Sequence, residues 1–226
     1  MVKNTSHKKG ESFGEVEEAL TKTEQFLEKH LNLVLYVVAG LVVVVLGYLG
    51  IQKYVIAPKN ADAEDQMFQA QNYFSKDSFN LALNGDGVSL GFLDIIDQYG
   101  STKAGNLAEY YAGISFLHIG EYDQAISCLN KFDTDDILLG PLSKAAVGDA
   151  WVELGKYDKA VSAYDKALSM NDNEFTTPTI KIKLALVYEA QGDVAKAISV
   201  LEDVKKEYPA SSDIATIEKN IARLNQ

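Results

Sequence analysis

The chain has 226 residues, with 21 Lys/Arg against 32 Asp/Glu for a formal net charge of −11, and a single cysteine. Such acidity argues against nucleic acid as a partner, because phosphate neutralisation drives that affinity. One cysteine, Cys128, can form no intramolecular disulfide. The charge is unevenly placed: residues 1–59 hold seven Lys/Arg and six Asp/Glu, net +1, whereas residues 60–226 hold fourteen and twenty-six, net −12.

In chain order, residues 1–10 are expected to be disordered. Residues 11–30 then place Phe13, Val16, Leu20, Thr23 and Leu27 on one helical face. The other face is mostly glutamate, whereas helices that lie on lipid carry Lys and Arg there. Residues 1–30 are thus an N-terminal tail with an amphipathic juxtamembrane helix, either docking a partner or simply extending the span that follows. From Leu33 to Ile51 there is no charged residue. A helix over Leu31–Ile51 would measure roughly 30 Å, the thickness of a bilayer's hydrocarbon core. The run is longer than the apolar core of a cleaved signal peptide, and Gln52-Lys-Tyr-Val-Ile56 offers no small-residue cleavage site. Residues 31–52 therefore read as a transmembrane anchor. Lys22 and Lys29 before it balance Lys53 and Lys59 after it, and Lys3, Lys8 and Lys9 tip the bias towards a cytoplasmic N-terminus.

Residues 60–104 read as a degenerate helical repeat, with Met67, Ala70 and Phe74 on one face and Phe92, Ile95, Ile96 and Tyr99 on a second helix. Between them, Lys76–Gly87 reads as a long, Gly-rich connection. Residues 105–212 contain three aligned stretches: Gly120-Glu-Tyr-Asp-Gln-Ala-Ile126, Gly155-Lys-Tyr-Asp-Lys-Ala-Val161 and Gly192-Asp-Val-Ala-Lys-Ala-Ile198, their glycines 35 and 37 residues apart. Each Gly would close one helix in a left-handed conformation. Asp123 and Asp158 are expected to cap the next helix, and Ala125, Ala160 and Ala197 to mark a close helix crossing. Gly113, Gly148 and Ala185 supply the small residue within the preceding helix, with Phe116, Trp151 and Tyr188 three positions later. Pro141 and Pro178 fit a first helical turn, with Thr177 as an N-cap for the latter helix. The period, glycines, aromatics and alanines together resemble the tetratricopeptide repeat family. The third unit departs from the pattern with Val194 in place of the corner Tyr. Residues 213–226, with Ile214, Ile217, Ile221 and Leu224 at helical spacing, read as a C-terminal capping helix. The expected fold is thus all-α, one transmembrane helix followed by a tetratricopeptide-repeat helical solenoid of about eight helices.

No arrangement for catalysis, metal or cofactor stands out. His7, His30 and His118 are scattered, and Asp133-Thr-Asp-Asp136 and Asn84-Gly-Asp-Gly87 lack the spacing of a calcium loop. Cys128 falls where a repeat helix takes an apolar residue. What resemblance to the repeat family implies is a binding groove, lined by Leu107, Tyr110, Ile114, Leu117 and His118 in the first unit. The second unit contributes Leu142, Ala145, Asp149, Val152 and Glu153, and the third Thr179, Ile182, Leu186 and Glu189. Family members that clamp a C-terminal carboxylate use Lys and Asn at such positions. These contain no Lys, Arg or Asn, so an apolar polypeptide segment with some positive charge suits the groove better. The alternative is that the groove is filled by the chain's own terminal helix.

The whole architecture, including the acidic Phe13-Gly-Glu-Val-Glu-Glu-Ala-Leu20 segment ahead of the span, resembles the ancillary subunit family of the bacterial SecYEG translocon. That resemblance implies a single-pass inner-membrane protein with periplasmic repeats and no enzymatic activity. Its implied partners are the translocon, a membrane-anchored peptidyl-prolyl isomerase or chaperone, and emerging secreted polypeptides. The alternative reading is an anchored scaffold for another envelope assembly or cytochrome maturation machine.

Overall fold

The structure is a computed structural model that describes residues 29–226. The amphipathic face from Phe13 to Leu27 lies outside the described residues, and so do residues 1–10. The chain divides into two compact units, residues 1–55 and 56–226. In the first, helix α1 (Leu31–Ile51) has no buried residue and is long and apolar enough to cross a membrane. A π-helical turn follows over Gln52–Ile56, with the Gln52 amide 3.3 Å from the Tyr48 hydroxyl.

The second unit holds ten helices: α2 (Ala57–Phe74), α3 (Phe79–Asn84), α4 (Phe92–Tyr99), α5 (Lys103–His118), α6 (Tyr122–Lys131), α7 (Leu139–Glu153), α8 (Tyr157–Met170), α9 (Thr177–Ala190), α10 (Val194–Glu207) and α11 (Ile214–Leu224). No strand occurs among the described residues. The helix pairs α5/α6, α7/α8 and α9/α10 are the three repeats, stacked in chain order as a tetratricopeptide-repeat solenoid.

Each repeat turns by the same device. Gly120, Gly155 and Gly192 have φ of 85°, 66° and 83°, in the left-handed region where a Cβ is costly. Each glycine N–H bonds back to Leu117, Val152 or Glu189, and the following residue's N–H reaches the carbonyl of Phe116, Trp151 or Tyr188. This paired pattern is the Schellman closure, which satisfies carbonyls that a helix end leaves free. The caps of the second helices differ from expectation. Asp123 and Asp158 lie inside the first turns of α6 and α8, where their charge complements the positive end of the helix dipole. Only Asp193, two residues earlier in register, accepts a capping bond, from the Lys196 N–H at 3.1 Å. Thr177 likewise is not the cap of α9 but its first residue, and its hydroxyl accepts the Asn173 N–H at 3.0 Å.

The two helices of a repeat approach closely at small residues. Ala125, Ala160 and Ala197 are fully buried. A Cβ added at Gly148 would stand 2.5 Å from the Tyr164 ring, so the absent side chain is what lets that ring in. Cys128 is buried in the first core cluster, and burial with the neighbouring Glu109 carboxylate pushes its thiol up to about 12, an unreactive packed thiol.

The Lys76–Gly87 connection is not simply a loop, because it folds α3, whose Ala82 and Leu83 are buried. Phe74 meets Phe79, Phe92 and Tyr111 edge-on with centroids 5.6, 6.3 and 5.1 Å away, an aromatic knot that fixes this short helix. The unit thus has ten helices where about eight were expected, and α3 is the one that reads as a loop in the sequence. Asp86 ties the turn after α3. Its carboxylate accepts the Ser89 and Val88 N–H groups at 2.7 and 2.9 Å and the Tyr73 hydroxyl at 2.7 Å. Asp136 does the same for the Leu138 and Leu139 N–H groups, both at 2.8 Å, at the start of α7. Both acidic turns thus spend their carboxylates on backbone.

Two measurements probe this framework. Gly148→Ala should lower unfolding free energy by about 1–3 kcal/mol in denaturant titrations, because the Tyr164 ring must move. Asp86 is held at about 2, below its usual 3.8, chiefly by the Ser89 N–H. A carboxylate depressed on folding stabilises above its unfolded value and loses that contribution as pH falls through the folded value. Asp86→Asn should therefore lower the melting temperature near about pH 6, and the deficit should shrink as pH falls from about 4 towards 2. A deficit independent of pH would contradict it.

Candidate functional site

The first helices of the three repeats place their C-terminal turns side by side around a cavity of about 560 Å³. Helix α5 contributes Leu117 and His118, α7 contributes Asp149, Val152 and Glu153, and α9 contributes Lys183, Leu186, Val187 and Ala190. Tyr122, Tyr157 and Tyr164 of the second helices complete the lining. Leu186 is 47 % exposed, so the wall is partly open to solvent.

The polar groups of this surface are organised rather than free. The buried Tyr164 hydroxyl donates to Asp149 Oδ1 at 2.7 Å, and Lys183 Nζ donates to Asp149 Oδ2 at 2.6 Å. One carboxylate thus joins α7, α8 and α9, and burial together with Asp149 raises the Tyr164 phenol far above its usual range. Tyr122 donates to Glu153 Oε2 at 3.2 Å, and burial first, then Glu153, raises its phenol as well. His118 stacks face to face on Phe79 of α3, centroids 4.3 Å apart.

Six of the positions expected in the groove meet in this cavity: Leu117, His118, Asp149, Val152, Glu153 and Leu186. The others lie elsewhere. Leu107 packs on the first core cluster, and Tyr110 and Ile114 on the cluster around Leu129 and Val147. Tyr110 rests against Phe132 and Tyr111 at 5.3 and 5.8 Å, and burial raises its phenol. Leu142 is 38 % exposed outside the cavity lining, Ala145 is buried, and Thr179 lines a separate cavity beside Phe175 and Asp213. Ile182 packs towards the C-terminal cluster, and Glu189 is held bidentately by Arg223 of α11, which lowers its carboxyl. The capping helix therefore occupies the Glu189 end, while the cavity walled by Leu186 has no residue of α11 in its lining. Lys183 was not among the family positions, so a lysine does line this surface. Its signal was the stripe Lys183, Leu186, Val187 and Ala190, one helical face at i, i+3, i+4 and i+7. Among the described residues no cluster of His, Cys, Asp or Glu could hold a metal ion.

Profiles of the tetratricopeptide repeat match residues 152–221 and 107–134. No curated protein matches the chain. Among solved structures it is similar to MamA, at 19% identity and a TM-score of 0.54, covering 69% of this chain and 81% of that one. It is also similar to the nearly identical TPR-like repeats of a Podosopora anserina putative kinesin light chain, at 13% identity and a TM-score of 0.59, covering 73% and 85%. At these identities the likeness defines the fold: the chain carries tetratricopeptide repeats, a fold that serves protein–protein interaction, preceded by a helix able to span a membrane.

The two kinds of expected groove residue should separate experimentally. Tyr110→Ala should cost about 2–4 kcal/mol of stability, because its ring is packed between neighbours. Leu186→Ala should change stability by less than about 0.5 kcal/mol, so any binding it loses reports on the cavity itself. Denaturant titrations of both variants make the comparison.

Proposed function

We propose that this protein is a non-catalytic, membrane-anchored interaction subunit of the Sec translocon. Helix α1 crosses the inner membrane with its N-terminus cytoplasmic, and the repeats stand in the periplasm. There the cavity between α5, α7 and α9 binds either the soluble part of a membrane-anchored peptidyl-prolyl isomerase or chaperone, or secreted polypeptides as they emerge. The observation that carries this reading is one chain holding both a membrane-spanning helix and a partly open cavity built by three successive repeats. Anchoring raises the effective concentration of the cavity at the translocon mouth without any new contact. The resemblance of the chain's organisation to the ancillary translocon subunits supplies the partner class.

Crosslinking of the tagged full-length protein in membranes, followed by mild-detergent purification and mass spectrometry, should recover translocon subunits together with a membrane-bound isomerase. Recovery of a different envelope machine in their place would overturn the assignment. A C-terminal reporter active only outside the cytoplasm should be active, and activity of a reporter that works only in the cytoplasm would reverse the topology.

A further inference from the structure

The charges lining the repeats are not equivalent. Asp149 is matched by Lys183 at 2.6 Å and by the Tyr164 hydroxyl at 2.7 Å, so that pair presents no net charge to a guest. Glu189 is matched by both guanidinium nitrogens of Arg223. Glu153 is different. Its one bond is from the neutral Tyr122 hydroxyl at 3.2 Å, and no Lys, Arg or His lies within ion-pair distance of it among the described residues. It stands exposed at the end of α7, in the same lining as the apolar Leu117, Val152, Leu186, Val187 and Ala190.

From this arrangement we infer that Glu153 receives one Lys or Arg side chain from an apolar polypeptide segment lying in the cavity. This rests on the reading of the cavity as a polypeptide-binding surface and adds what selects the guest. Aliphatic side chains of the segment cover Leu117, Val152 and Leu186, the aliphatic stem of its Lys or Arg runs along the same wall, and the charged end meets the one lining carboxylate without a cation. An acidic segment is rejected, since it would bring like charge to Glu153 and into a domain of net −12. Tyr122 holds the Glu153 carboxylate in place through its hydroxyl and is a positioning residue.

The test uses the full-length protein in detergent micelles and a dye-labelled peptide of about twelve Leu, Val, Ser and Ala residues with one central Lys, read by fluorescence anisotropy. Matched peptides carry norleucine or Glu in place of the Lys. The Lys peptide should bind about fivefold more tightly than the norleucine peptide, and the Glu peptide more weakly than both. Glu153→Gln should abolish the preference for Lys, and continued binding of the norleucine peptide, with an unchanged far-UV circular dichroism spectrum, shows that the variant is folded. Equal binding of the Lys and norleucine peptides, or a preference that survives Glu153→Gln, overturns the assignment of Glu153 and leaves the cavity as a polypeptide site. Failure of all three peptides to bind overturns both.

Discussion

The close approach of paired helices at small residues is the constraint on which the rest of this structure depends. Ala125, Ala160 and Ala197 are fully buried where the helices of each repeat cross, and the bare Gly148 lets the Tyr164 ring lie against α7. Because each pair crosses at the same register, the three Schellman turns fall at equivalent places and the C-terminal ends of α5, α7 and α9 come to share one surface. A larger residue at any crossing would splay its pair and move one wall of the cavity relative to the next. The same crossing also aims Tyr164 at Asp149, which in turn fixes Lys183, so packing within the second repeat sets the polar contact with the third.

Electrostatics then divides the surface. Among the carboxylates nearest the cavity, Asp149 is matched by Lys183 and Glu189 by Arg223, while Asp86 and Asp136 hold local backbone. What remains for a partner is an apolar wall with one carboxylate, a surface that discriminates by charge while most of its contact is hydrophobic. A helix that can hold the chain in a membrane suits such a surface, since modest affinity suffices when the partner is confined to the same place.

Much of this was legible in the sequence because repetition amplifies weak signals. One Gly-x-Tyr-x-x-Ala stretch means little, but three in register located the turns, the crossings and the helix pairs. The uncharged run from Leu33 to Ile51 was equally plain. Features without periodicity were not legible. Helix α3 is held through Phe79, edge-on to Phe74 and stacked on His118 of the distant α5, and its own Gly-rich flank reads as a loop. The caps shifted by one or two residues because Asp123 and Asp158 recur for the helix dipole rather than for a capping bond. The fixed register expected for a groove includes Leu117, Asp149 and Leu186, which line the cavity, but also Tyr110 and Ile114, which pack on the neighbouring cluster. It missed Lys183, whose reach to Asp149 across repeats depends on how the pairs stack.

On the proposed function, partners meet the cavity between the first helices and not the rest of the repeats. A photo-crosslinking amino acid placed at Leu186 in the full-length protein in native membranes tests it most directly, with the exposed Asp165 of α8, outside the cavity lining, as the comparison site. Adducts with a membrane-bound or secreted polypeptide from position 186, and none from position 165, are the predicted result. Adducts from position 165 alone would contradict the account.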